Sequence, residues 1–199
     1  MAVERHLRAL EAAVSGPMTL GELVHRMRQS GFGLIVIFVS MPFLQPIPLA
    51  GLSTVLGVFI ALQGVQLMRG KEEPHLPSWI AHRRLEERTL HLLLGAARRF
   101  FALADKFSRP RLRGLAANPR AAGAGIALSG ALLALPFPIP LSNMICASPA
   151  VLLSLALLEE DGLIAALGWL GIMLSISFHI GLFLLGADGT RALWRALFP

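Results

Sequence analysis

A proline inside an uncharged apolar stretch rules out one unbroken helix, and this chain carries two such stretches on one pattern. The first reads Met41-Pro42-Phe43-Leu44-Gln45-Pro46-Ile47-Pro48-Leu49, the second Leu135-Pro136-Phe137-Pro138-Ile139-Pro140-Leu141. From Pro46 onward they align at a constant offset of 92 residues, and Leu44-Gln45 is a two-residue insertion upstream. Each proline removes a backbone donor and clashes with the preceding turn. Residues 32–68 and 121–158, which enclose the knots, contain no Asp, Glu, Lys, Arg or His. A helix broken at membrane depth leaves backbone polar groups where water is scarce. That is tolerated only where the break is buried in protein or lines a cavity.

Composition places the chain in a membrane. Hydrophobic residues make up 55% and charged residues only 15%, against about 25% charge in a soluble domain. A third block, 163–187, holds one ionisable residue, His179. About 20 apolar residues cross the hydrocarbon, so 163–187 suits one span. The two longer blocks suit two crossings each, or a crossing and a re-entrant half-helix. A chain of this length could not cover so much apolar surface as a soluble core.

Charge gives the orientation. Between residues 69 and 120 there are twelve basic and five acidic residues. Beside membrane blocks, such a segment marks the cytoplasmic face rather than a nucleic-acid site. The first 31 residues are interrupted by charge and contain no apolar signal region. The single cysteine, Cys146, excludes an intrachain disulfide and reads as a small buried filler.

The expected fold is an all-α integral membrane protein, a single membrane domain over 1–199. Residues 1–31 form two interfacial amphipathic helices, one over 3–14 and one after a Thr19/Glu22 capping box. Residues 32–68 are broken-helix repeat 1, with a short approach half (32–41) and a return half (50–68). Residues 69–120 are a basic connector with a helix over 89–107. Residues 121–158 are broken-helix repeat 2, and 163–187 are a C-terminal transmembrane helix. The two breaks are expected to be related as an inverted repeat, by a pseudo-twofold axis in the membrane plane. Gly-rich faces, including Gly123, Gly125, Gly130, Gly168 and Gly171, are expected to support a homodimer.

The chemistry centres on the breaks. A half-helix starting near Pro48 or Pro140 points free N–H groups and positive dipole at the break. Two such ends meeting near the midplane make an anion-binding concavity. Its expected ligand-binding residues are Gln45, Pro46, Pro48, Ser53, Pro138, Pro140, Ser142 and Asn143. The plainer alternative is that Ser142 and Asn143 only cap the helix. His179, Glu159, Glu160 and Asp161 are candidates for an ion or proton. The plainer readings are a histidine hydrogen-bonded between helices, and a solvated turn at a helix start. No zinc spacing, phosphate loop or nucleophile elbow occurs. No catalytic residue, metal or cofactor is expected.

The ordered set of these elements resembles the ExoD family, bacterial membrane proteins named for exopolysaccharide synthesis. The elements are the first knot with Leu49-Ala50-Gly51-Leu52-Ser53, the Leu76-Pro77 turn, Arg109-Pro110-Arg111-Leu112, the knot Pro138-Ile139-Pro140-Leu141-Ser142-Asn143, and Glu160-Asp161-Gly162. The resemblance runs over roughly residues 17 to 186. It departs at His75, where an aromatic residue is expected, and at Ser142, where glycine is expected. It implies a link to polysaccharide production and the bacterial inner membrane, and carries over no catalytic residues. Two functions fit. One is a small transporter or channel-like permease for an anionic or hydroxyl-rich solute. The other is a non-transporting accessory or scaffold of polysaccharide synthesis. An enzyme fits least, because no acid–base pair is evident at membrane depth. Lipid and a second copy are the expected partners, nucleic acid not.

Overall fold

The computed structural model describes residues 18–19, 22, 25, 30–45, 51–82, 84–85, 118–135 and 141–197. The knot prolines Pro46, Pro48, Pro138 and Pro140, the helix expected over 3–14 and the one over 89–107 lie outside these. Among the described residues the chain is helical, apart from one two-residue pairing. There β1 (Met18–Thr19) meets β2 (Arg84–Leu85) antiparallel. The expected capping box forms next to it. The Thr19 N–H donates to Glu22 Oε2 at 2.9 Å, and the Glu22 N–H to Thr19 Oγ1 at 3.2 Å.

The described residues include six α-helices: α1 (Ser30–Ser40), α2 (Leu52–Met68), α3 (Ser78–Ala81), α4 (Pro119–Ala134), α5 (Ser142–Glu159) and α6 (Gly162–Leu197). Both breaks expected from the prolines are present. In the first, α1 tightens into a 3₁₀ turn over Met41–Leu44, and Gln45 is extended. In the second, α4 ends at Ala134 and Leu135 is extended. Each return helix starts directly after a residue at positive φ, Gly51 (84°) before α2 and Leu141 (70°) before α5. Glycine adopts that conformation freely, whereas leucine is strained in it. The 3₁₀ turn lengthens the first approach, so α1 with Met41–Leu44 rises roughly 24 Å rather than half a membrane.

Glycine contacts fix the directions of the helices. A Cβ on Gly57 would stand 2.6 Å from the Ala134 nitrogen, and one on Gly64 would overlap the Ala127 backbone. From the other side, Gly130 abuts Ala61 and Gly123 abuts Met68. α2 and α4 are therefore antiparallel with their backbones in contact, as small-residue stripes allow. Gly125 lies on Leu153, so α4 and α5 form an antiparallel hairpin. Gly33 lies against Ser154 and Leu158, and the 3₁₀ turn also touches α5, so α1 opposes α5. Gly168 on Leu153 and Gly171 on Pro149 make α6 antiparallel to α5.

This network corrects the expected orientation of the two hairpins. α1 runs parallel to α4, and α2 parallel to α5. The two hairpins thus point the same way, and a pseudo-twofold axis in the membrane plane does not relate them. An inverted pair would have α2 and α4 parallel. The glycines expected to hold a second copy are also occupied, since Gly123, Gly125, Gly130, Gly168 and Gly171 all meet intrachain neighbours.

The core lies where the hairpins cross. Phe32 and Val36 of α1, Phe43 of the 3₁₀ turn, Ile60 and Leu67 of α2, and Ile126 and Leu133 of α4 pack with Cys146, Ala150, Leu153 and Ile172. α5 and the Gly162–Leu184 part of α6 are long and apolar enough to cross a membrane. α6 continues beyond the expected end at 187, after a non-helical Gly186 (φ 65°, ψ −169°).

Candidate functional site at the paired breaks

The hairpin directions put both breaks at one end of the bundle. Gly57, six residues past Gly51, touches Ala134, one residue before Leu135. The return side of the first break thus adjoins the approach side of the second. The converse pairing is made by the 3₁₀ turn of the first break against α5. The opposite end carries charge. Arg69, Lys71 and Arg120 lie there, with Gly70 against the Arg120 guanidinium and the Glu159-Glu160-Asp161 turn closing α5 to α6.

Ser53 and Ser142 are both buried, Asn143 is half-buried and Gln45 is exposed. Capping does not account for the first two polar residues of α5. Its N-cap is Leu141, which offers no side-chain oxygen, so Ser142 and Asn143 already lie inside the first turn. The N-cap of α2 is Gly51, also without a side-chain bond. Both return helices therefore start at a break with no capping side chain from the N-cap residue, which leaves the dipole end to other acceptors.

Two residues of the acidic turn shape the junction of α5 and α6. Glu160 takes the left-handed conformation that ends α5 (φ 54°). Asp161 is 1% exposed and caps α6, accepting from the Leu163 N–H at 2.9 Å and the Ile164 N–H at 3.4 Å. Asp161→Ala is expected to cost about 0.5–2 kcal/mol, read as a lower melting temperature. Asp161→Asn should restore most of it, because the amide oxygen also caps.

His179 sits between α5 and α6. Its Nδ1 is 2.8 Å from the Ser175 carbonyl oxygen, which can only accept, so Nδ1 carries the proton. Nε2 then faces the Cys146 Sγ at 3.9 Å. One turn away, Pro149 lies inside α5. Its missing N–H leaves the Ile145 carbonyl without the usual partner. The Ser175 hydroxyl crosses from α6 and reaches that oxygen at 2.8 Å. Sequence reading gave Cys146 no partner and left Pro149 and Ser175 unconnected. Cys146 and His179 are 33 residues apart in sequence, and only the α5–α6 register joins these groups.

The family model described as "Exopolysaccharide synthesis, ExoD" matches residues 3–181. The chain belongs to the ExoD family. Protein ExoD of Rhizobium meliloti (strain 1021) is 33% identical over 168 residues, covering 82% of this chain and 70% of that protein. An uncharacterized protein of Synechocystis sp. is 28% identical over 156 residues, covering 77% and 73%. No solved structure matches. The chain is thereby linked, through its family, to exopolysaccharide synthesis. The family match spans both breaks, the α2–α4 contact and the Cys146–His179 pair.

Proposed function

We propose that this ExoD-family chain is a small permease of the bacterial inner membrane, not an enzyme, serving exopolysaccharide production. It passes an anionic or hydroxyl-rich solute at the paired breaks. One observation carries this reading, the side-by-side placement of two breaks whose return helices start from N-cap residues, Gly51 and Leu141, that offer no capping side-chain bond. In this reading the charged end faces the cytoplasm, following the positive-inside bias. Ser142 to Glu159 rises about 26 Å, which puts the breaks toward the opposite face rather than at the midplane. The two hairpins are parallel repeats, the arrangement in which equivalent half-helices present the same dipole end to one region. The outward faces of α2 and α6, where Val55, Leu62, Leu174 and Phe183 are exposed, meet lipid or a second copy.

The accessory reading has an observation of its own. Phe32, Phe43, Ile60 and Leu133 fill the space between the hairpins, and a filled core suits a scaffold. Three variants decide between them, each assayed for polysaccharide output and for anion flux in vesicles. Asn143→Asp adds a carboxylate near a helix N-terminus, so folding should hold or improve. Anion flux should fall at least about tenfold, corresponding to 1.4 kcal/mol or more at the site. Asn143→Ala and Gln45→Ala should also reduce flux with little change in melting temperature. Full function in both Asn143→Asp and Gln45→Ala would leave the scaffold as the better account.

A further inference from the structure

We propose that Cys146 and His179 form a two-donor site for a soft monovalent cation of the copper(I) or silver(I) class. Cys146 lies one turn along α5 from Asn143, and the site does not depend on the transport reading.

Three observations converge. First, both donors are in place. Cys146 is 1% exposed and His179 8% exposed, and Sγ and Nε2 are 3.9 Å apart. At metal bond lengths like those of zinc, about 2.3 Å to sulfur and 2.0 Å to nitrogen, one ion bridges that gap at a bent angle, and a small rotation of the two side chains opens it toward the linear arrangement of a two-coordinate ion. Second, the imidazole is held in the form that binds metal. Its Nδ1–H is engaged by the Ser175 carbonyl at 2.8 Å, which aims the Nε2 lone pair at the thiol. A backbone acceptor behind the ring is the usual support of a metal-ligating histidine. Third, Ser175 Oγ stands 2.8 Å from the Ile145 carbonyl, one residue before Cys146, and 2.8 Å from the Gly171 carbonyl of its own helix, and shares its one proton between the two helices. The two donors are thus tied together across the α5–α6 interface.

Charge selects the ion. On binding, the thiol releases its proton to solvent and the thiolate and neutral imidazole share one cation. Thiolate plus monovalent cation is neutral. A divalent ion would leave a net positive charge in an apolar interior, at high cost. Sulfur favours soft ions as well, and two donors satisfy a d10 monovalent ion, whereas zinc takes four.

Cys146 is the chain's one cysteine, so any thiolate–metal absorption reports on this site alone. The test titrates purified full-length protein in lipid nanodiscs with silver(I), then with zinc(II). The expected result is one silver per chain, a thiolate–silver band in the ultraviolet and a raised melting temperature, with no effect of zinc. X-ray absorption on the silver complex should give one sulfur and one nitrogen neighbour. Cys146→Ser should abolish all three responses, and His179→Leu should weaken binding at least about tenfold. Should His179→Leu not fold, the nitrogen neighbour in the absorption spectrum decides the histidine's part. No silver response in the wild type, an equal response in Cys146→Ser, or a sulfur neighbour without nitrogen would overturn the proposal.

Discussion

Replacing Gly64 by alanine should abolish the folded protein, although alanine is the better helix former. The added methyl would overlap the Ala127 backbone and lie 2.7 Å from the Gly123 carbonyl oxygen. Neither is a flexible side chain that can turn away, so the helices must separate. Overpacking of this kind costs about 1–3 kcal/mol and sometimes more. Separation would also remove the contacts at Gly57, Gly123 and Gly130, so the upper end or beyond is expected. Gly181→Ala is the matched control. It lies in α6 with nothing within 4 Å of the new methyl, and should be neutral or stabilising by about 0.5–1 kcal/mol. Monodispersity after detergent extraction and the melting temperature measure both. Equal behaviour of the two variants would show that α2 and α4 do not meet along this stripe.

The second large effect is a coupling between Pro149 and Ser175. Ser175→Ala removes the nearer donor to the Ile145 carbonyl, at 2.8 Å against 3.5 Å for the Ser148 hydroxyl, and should cost about 1–2 kcal/mol. In a Pro149→Ala background, residue 149 regains its N–H and can bond that carbonyl within the helix. The loss on Ser175→Ala should then shrink to less than about 0.5 kcal/mol, so the two sites couple by roughly 1 kcal/mol. Pro149 also packs on Gly171, so Pro149→Ala alone carries its own penalty, which the double-mutant cycle cancels. The same loss in both backgrounds would mean that the Ser175 bond to Ile145 contributes nothing to stability.

What the sequence disclosed was local. Proline chemistry located both breaks, and the Thr19–Glu22 spacing gave the capping box. The Asp161-Gly162 pair marked a helix start, and its carboxylate does serve that start. The glycines were legible as places of close approach, but not as to which helix approached. Gly123 and Gly130 read equally well as a surface for a second copy. Their internal partner is fixed by three-dimensional register that a single chain does not display. Orientation failed for a related reason. Two similar segments carry no sign of whether the chain has turned over between them, and here only the Gly57–Ala134 and Gly64–Ala127 contacts decide it. The Cys146–His179 pair was invisible because neither residue has a suggestive neighbour in sequence. The Ser142 departure from the family pattern proved benign for the backbone, because the positive-φ turn falls on Leu141.

The common direction of the hairpins bears on how such a chain could arise. Each hairpin, α1 with α2 and α4 with α5, returns the chain to the end from which it set out. A gene segment encoding a unit that closes on its starting side can be copied head to tail, and the copy will insert in the same sense as the original. One that ended on the far side would produce an upside-down twin, and its flanking charges would have to change before either orientation was stable. In the permease proposed above, one stretch of arginines between the two hairpins would orient both, the first from behind and the second from in front. Copying such a unit requires no intermediate with conflicting topology.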